Sequence, residues 1–353
     1  MRNFSKLKWG ITGLALVIAL TGCGAKNTEN TASDNQTNTA AGGKENAAAD
    51  TKDKPLTKVK VVLDWTPNTN HTGLYVARDN GFYKEHGLDV EIIQPGEAGA
   101  DTMVASGAAD FGVGYQEGIT QARLQGVPLV SIAAVIQHNT SGFASPADKN
   151  IKSPKDYEGK TYGGWGSPAE SAVIESLMQE EKADVKKVKI VSIGDADFFT
   201  AVKKNIDFAW IYYAWTGVEA ELRGEKINMQ YLTDYSEKLD YYTPVLETSE
   251  KMISEKKDIV QAFVAASAEG YKFAIDHPGD AAEVLIKAEP SLNADLVRAS
   301  QKWISPKYQD DAKSWGEQKL EVWTNYADWM LEHKLLDKEL DADKAFTNEF
   351  ISE

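Results

Sequence analysis

An α/β fold in two lobes is what this 353-residue sequence predicts, and three observations carry the prediction. Short apolar, β-branched runs alternate with helical stretches from Val59 onward, and a second series of the same kind opens at Lys160. Residues 127–135 form a continuous apolar run, the pattern of a strand buried on both faces. Strands alternating with helices at this pace imply βαβ units and mostly parallel sheets. Ligand sites in such sheets lie beyond the carboxyl ends of the strands, here in a cleft between the lobes. The segments just after each strand are therefore where function is expected.

The chain begins with a different kind of element. Arg2, Lys6 and Lys8 precede an apolar stretch, 11–20, and then Leu20-Thr21-Gly22-Cys23 leads into a polar run. A charged start, a short apolar core and small residues before a cut site mark a secretory signal. The stretch is shorter than the ~20 residues a membrane span needs. The tetrad resembles a bacterial lipobox, which assigns 1–22 to the signal peptide and Cys23 to lipidation; an ordinary signal with an incidental cysteine is the plainer alternative. Each buried methylene of an acyl chain contributes about 0.8 kcal/mol to such an anchor. Because Cys23 is the only cysteine, no intrachain disulfide, CxxC metal site or thiol relay can be built. Residues 23–56 lack aromatics and any period, a composition that cannot bury enough apolar surface to offset chain entropy, and they read as a flexible tether.

The remainder, 57–353, is long enough for two lobes. Lobe 1 is expected over 57–142 with the C-terminal helical part 245–353, and lobe 2 over 143–244. The formal net charge is −15, and removing the three cationic residues of the signal takes it to −18. That balance argues against nucleic acid and anionic lipid as direct partners. Only Arg78, Arg123, Arg223 and Arg298 lie beyond the signal, a poor supply for a phosphate or sulfonate clamp.

In order, 59–65 reads as a strand stopped by Pro67, with Asn68, Asn70 and Gly73 giving loop chemistry. A helix follows over 74–80, a strand over 88–93 ended by Pro95 and Gly96, a helix over 100–106 and a strand over 109–113. Then come a helix over 118–125 and the buried run 127–135. In the second series, 160–163 enters the glycine-rich turn 163–168, followed by a helix over 169–181. Strand 188–193, helix 198–204 and strand 208–211 complete it. From Ser249 the pattern is mainly helical; Trp303, Trp315, Trp323 and Trp329 at helical spacing read as core.

Four strand ends each bring an aromatic residue together with a carboxylate or amide. The first offers Asp64, Trp65, Asn68 and His71; the next Tyr115, Gln116 and Glu117; the third Trp165, Gly166, Ser167 and Glu170; the last Tyr212, Trp215 and Glu219. Aromatic faces stack on flat rings, and carboxylates accept hydrogen bonds from an amino group. With no cation among them except His71, they predict a flat, polar ligand that is uncharged or mildly cationic. Several have structural alternatives. Asp64 equally fits a cap of the following turn, Asn68 and Asn70 are natural turn residues, and His71 fits a loop bond as well as a site. Ser167 and Glu170 match a capping box on the helix that Pro168 opens. Only some of Tyr212, Tyr213 and Trp215 can face a cleft if the segment is extended.

The run Leu63-Asp64-Trp65-Thr66-Pro67-Asn68, with Gly81-Phe82-Tyr83 and Gly107-Ala108-Ala109-Asp110-Phe111-Gly112, resembles the thiamine-pyrimidine family, in particular its substrate-binding lipoproteins of ABC importers. The resemblance is good over 59–246 and loose over the helical tail. It implies a two-lobed, type II periplasmic-binding-protein fold that closes over its ligand, a thiamine pyrimidine precursor. It also implies permease and ATPase subunits as partners, membrane contact through the N-terminal lipid only, and no cofactor. The same scaffold binding riboflavin or another aromatic solute is an alternative. The family's enzyme branch makes the pyrimidine from its own histidine and pyridoxal phosphate with a cysteine cluster. This chain has no second cysteine and no lysine or histidine between Asp110 and Pro128, so a binding protein is expected rather than an enzyme.

Overall fold

A computed structural model describes residues 55–194 and 196–352; the signal segment, Cys23 and nearly all of the expected tether lie outside them. Ten strands follow one another: β1 Thr57–Val62, β2 Leu88–Ile93, β3 Phe111–Gly114, β4 Leu129–Ala134, β5 Ser141–Pro146, β6 Thr161–Gly164, β7 Lys189–Ser192, β8 Phe208–Tyr212, β9 Ile227–Tyr231 and β10 Val245–Ser249. They form two five-stranded sheets, ordered β2-β1-β3-β10-β4 and β7-β6-β8-β5-β9. Each sheet anchors one lobe of an α/β structure.

Parallel pairing joins β1 to β2 and β3, and β6 to β7 and β8. The expectation of mostly parallel sheets needs correction. β10 runs antiparallel to β3 and β4, and β5 antiparallel to β8 and β9. Each of these two is the strand by which the chain enters one sheet after leaving the other, and it inserts against the local direction. β4 matches its apolar run, with all six residues buried.

The sheet of lobe 1 is covered by helices Thr72–Asp79 and Lys257–Asp276, with Tyr83, Phe111 and Phe263 stacked between layers. The expected core tryptophans are mostly inside: Trp315, Trp323 and Trp329 are buried, while Trp303 is partly so. Helix Leu320–Glu332 serves both lobes. Its Trp323 packs with Val62, Ala134 and Val245 of the first sheet, and its Tyr326, Trp329 and Met330 pack with Phe143 and Phe208 of the second. Fully burying each such side chain contributes roughly 1.5–3 kcal/mol.

The two crossings between sheets, 135–140 and 232–244, are tied together. Asp240 accepts from the Asn139 backbone N–H at 2.8 Å and from His138 Nδ1 at 2.6 Å, while His138 Nε2 reaches Asp311 at 3.1 Å. The hydrogen bond to Asp240 leads in raising the imidazole pKa to about 9, so an imidazolium bridges two carboxylates here.

Candidate functional site

The loop after β1 is held from several sides. Asn68 caps the turn Thr69–His71: its Oδ1 accepts from the Asn70 N–H at 2.9 Å and its Nδ2 donates to the Thr66 carbonyl at 3.0 Å. The Tyr271 hydroxyl donates to the Asn70 carbonyl at 2.7 Å, and that of Tyr308 to the Thr69 carbonyl. Asn68 therefore shapes the loop through both polar atoms of its amide, the turn role that was the alternative to ligand contact.

His71, fully buried, connects that loop to Asp64. Its Nδ1 accepts the Asn68 N–H at 3.2 Å, so Nε2 carries the proton that is donated to Asp64 Oδ1 at 2.6 Å. The Tyr115 hydroxyl donates to the other oxygen, Oδ2, at 2.6 Å. Burial by itself would raise the Asp64 carboxyl, but His71 and the two hydrogen bonds more than offset it and hold it below its ordinary value. Burial first, and then the Asp64 charge, push the Tyr115 phenol well up. The result is a rigid carboxylate with a fixed proton donor on either side. Trp65, next in sequence, is left 51% exposed.

On the opposite lobe the glycine-rich turn is built around Glu170. Gly166 sits at φ +99°, a left-handed conformation that favours glycine. Glu170 Oε1 accepts from the Tyr162 hydroxyl at 2.5 Å and the Trp165 N–H at 3.1 Å; Oε2 accepts from the Gly166 and Ser167 N–H groups at 2.6 and 2.7 Å. Ser167 Oγ caps helix Pro168–Glu180 by accepting from Ala169 N–H at 3.2 Å. Glu170 is 2% exposed. Three backbone N–H groups of the turn and the Tyr162 hydroxyl of β6 occupy its oxygens, and with Ser167 it forms the capping box that was the alternative to ligand contact. Their product is Trp165, presented 46% exposed with its ring tilted against Trp210 at 5.3 Å.

Gln116 too is taken up within the protein. It is fully buried, donating to the Val322 carbonyl at 3.1 Å and accepting from the Tyr242 N–H at 2.9 Å, and so fastens lobe 1 to the C-terminal helix. Glu117, one residue on, is different. Its hydrogen bonds among the described residues are long, from Gln121 at 3.3 Å and Tyr326 at 3.5 Å. Burial, then the charge of Glu170, raise its carboxyl, and those two bonds only partly offset the rise. Of the three glutamates expected at the cleft, it is the least committed to the protein itself. Glu219, on helix Val218–Arg223, pairs with Arg223 one turn on.

Tyr212 joins the two lobes electrically. It stands at the end of β8, 38% exposed, yet its hydroxyl lies near Thr243 and feels the charges of Asp64 and Glu117. Burial of that hydroxyl leads in raising it to about 12. The next residues, Tyr213–Gly217, form one π turn, a feature frequent at functional sites. Trp215 in that turn is half-buried against the lobe 1 core, so Tyr212 rather than Trp215 stays open. Asp64, Tyr115, Glu117 and Tyr212 thus converge, with Trp65 and Trp165 exposed beside the two strand ends. Beside Trp165 the wall is hollowed by about 270 Å³, lined by Gly164, Gly166, Ser167, Glu170, Ile190 and Ser192 among others.

Sequence reasoning missed Tyr241, Tyr326, Asp101 and Glu247. The first two stack at 4.0 Å near Glu117, brought there by segments distant in sequence.

Residues 68–281, more than half of the chain, match the family described as NMT1/THI5 like. The chain belongs to the NMT1/THI5-like family. Among its relatives is the formylaminopyrimidine-binding protein of Halalkalibacterium halodurans, 28% identical over 304 residues, 84% of this chain and 91% of that one. Another is the 4-amino-5-hydroxymethyl-2-methylpyrimidine phosphate synthase of Legionella pneumophila, 23% identical over 84% of this chain and 92% of that one. The fold is that of periplasmic binding proteins: the periplasmic aliphatic sulphonate binding protein SsuA from Escherichia coli superposes with TM-score 0.66 at 15% identity, over 82% of this chain and 97% of that one. The expected two-lobed periplasmic-binding fold is therefore found.

Proposed function

We propose that this protein is the extracytoplasmic substrate-binding component of an ABC importer. Its ligand would be N-formyl-4-amino-5-aminomethyl-2-methylpyrimidine or a close analogue, taken up for thiamine salvage. The observation that carries this reading is the pairing of two half-exposed tryptophans, Trp65 and Trp165, with the carboxylates of Asp64 and Glu117, while Arg223 is taken up by Glu219. A flat aminopyrimidine stacks on such rings and donates N–H to such carboxylates, whereas an aliphatic sulfonate offers only acceptors and negative charge. The relative named for formylaminopyrimidine supports the same ligand. Anchorage through a lipid on Cys23 completes the proposal, and among the described residues no helix is long and apolar enough to cross a membrane.

Synthase relatives exist in the family, but two features favour binding here. His71, the cleft histidine, is fully buried with both ring nitrogens engaged, so neither is free to react. The chain has one cysteine, which cannot supply a cluster. Calorimetry tests the proposal: the formylaminopyrimidine should bind stoichiometrically and be recovered unchanged, and taurine should give no heat. Tight taurine binding, or conversion of the pyrimidine, refutes it.

A further inference from the structure

β10 carries a glutamate, Glu247, in the middle of an otherwise apolar layer. It is fully buried, and neither carboxyl oxygen meets an N–H or hydroxyl donor. An uncompensated buried carboxylate is very costly, so the environment must neutralise it or pair it. Its partner is another carboxyl. Glu247 Oε2 and Asp101 Oδ1, the latter in the first turn of helix Gly99–Ser106, both crowd the space over Gly114. Two acceptors can bond only by sharing a proton, and burial pushes the Glu247 carboxyl well above its usual range. Burial raises the Asp101 carboxyl too, but less far, so of the two Glu247 is the one placed to hold the shared proton and Asp101 the one placed to accept it.

Three glycines make room for this pair. A Cβ on Gly112 would stand 2.8 Å from Glu247 Oε1, and one on Gly114 would stand 2.7 Å from Glu247 Oε2 and 3.3 Å from Asp101 Oδ1. A Cβ on Gly118 would stand 2.6 Å from Asp101 Oδ2. Gly118 lies in the first turn of helix Gln116–Leu124, whose positive end favours the charge on Asp101. Among the described residues no cation acts on either group; Glu247 feels the charges of Asp101 and Asp64. Asp101 is also only half-buried and lies near enough to Tyr115 for its charge to raise that phenol. The segments after β1, β2 and β3 therefore bring Asp64, Asp101 and Tyr115 to one edge of one sheet.

We infer that Asp101, oriented from behind by Glu247, is a specificity-determining carboxylate of the cleft, selecting ligands that present an amino or amidine N–H to lobe 1. Asp64 already receives a donor on each oxygen, so it has less to offer a ligand. Asp101 receives the Glu247 proton on one side and keeps acceptor capacity on the other. A ligand with an oxo group in place of the amino group would set acceptor against acceptor there. Glu247 acts through Asp101 and is a positioning residue.

This inference rests on the aminopyrimidine reading above, and its test is arranged so that the two fail differently. Calorimetry is run with the formylaminopyrimidine and with its 4-oxo analogue, on the wild type, D101N, E247L and E247Q. D101N should lose about tenfold or more in affinity for the amino compound, the scale of one hydrogen bond to a charged group. Its preference for amino over oxo should collapse. E247L should lose that preference too, and E247Q, whose amide still donates to Asp101, should recover most of it. If E247L does not fold, D101N and E247Q still decide. A wild-type preference retained in D101N, or E247L and E247Q behaving alike, overturns the assignment alone. A wild type that binds neither pyrimidine overturns the functional proposal and this assignment together.

Discussion

Glu170→Gln exchanges one oxygen for an amide nitrogen, and the structure allows its cost to be worked through. The Oε2 position accepts from the Gly166 and Ser167 N–H groups at 2.6 and 2.7 Å, neither of which can reverse. The amide nitrogen must therefore occupy the Oε1 position, facing the Tyr162 hydroxyl and the Trp165 N–H. The Tyr162 hydroxyl can rotate and accept, but the Trp165 N–H is left without an acceptor, costing about 1–3 kcal/mol. The bonds to Gly166 and Ser167 survive as neutral ones, roughly half as strong, which removes about 1–2 kcal/mol more. Loss of the charge at the start of helix Pro168–Glu180 adds a few tenths. The sum is about 2–5 kcal/mol of stability, read as a lower urea midpoint at unchanged m-value. Because Trp165 sits on the turn that loosens, its fluorescence should shift to the red before global unfolding, and pyrimidine affinity should fall with it. A variant within about 0.5 kcal/mol of wild type would refute the framework role, because surface substitutions commonly fall in that range. So would lost affinity at unchanged stability, which would return Glu170 to the ligand.

Further outcomes follow from the same geometry. Trp65→Ala and Trp165→Ala should each weaken pyrimidine binding by about 1–3 kcal/mol, the scale of ring stacking on aromatics, with native circular dichroism; collapse of the melting transition would make them core residues. The raised His138 pKa means its bridge to Asp240 and Asp311, with Lys319 behind Asp311, stabilises fully below the model-peptide value of 6.5 and is lost as pH rises through about 9. The urea midpoint should therefore fall between pH 7 and pH 9.5 in the wild type, and much less in His138→Gln. Cys23→Ala should release the mature protein from washed membranes into the soluble fraction; retention would count against the proposed anchor.

How much of this was legible in the residues differs by element. Strands β1 to β4, β7 and β8 could be placed because each is a short, largely apolar run between clear stops, whereas β6, Thr-Tyr-Gly-Gly, read only as the entry to a glycine-rich turn. β5 and β9 escaped notice: Ser-Gly-Phe-Ala-Ser-Pro and Ile-Asn-Met-Gln-Tyr have small or polar residues where a strand signal needs branched ones. They are held by neighbours from far along the chain, not by local preference. β10 was hidden by its own glutamate, which reads as a surface residue until Asp101 and three glycines are seen around it. At the site, Trp65, Trp165 and Tyr212 could be picked out because large aromatics sit beside turn residues with nowhere to be buried. The roles of Glu170 and Gln116 could not, since a carboxylate or amide looks the same in sequence whether its donors come from a ligand or from its own backbone. The capping pattern Ser167-Pro168-Ala169-Glu170 was the one local signal that pointed the right way.

The aminopyrimidine assignment is tested most directly by what the natively purified protein carries. Natively purified protein, denatured and extracted, should yield a 4-aminopyrimidine by mass spectrometry, near one equivalent per chain and depleted in Trp165→Ala. Recovery of a flavin, a sulfonate or a pyridoxal adduct in its place would contradict the aminopyrimidine assignment.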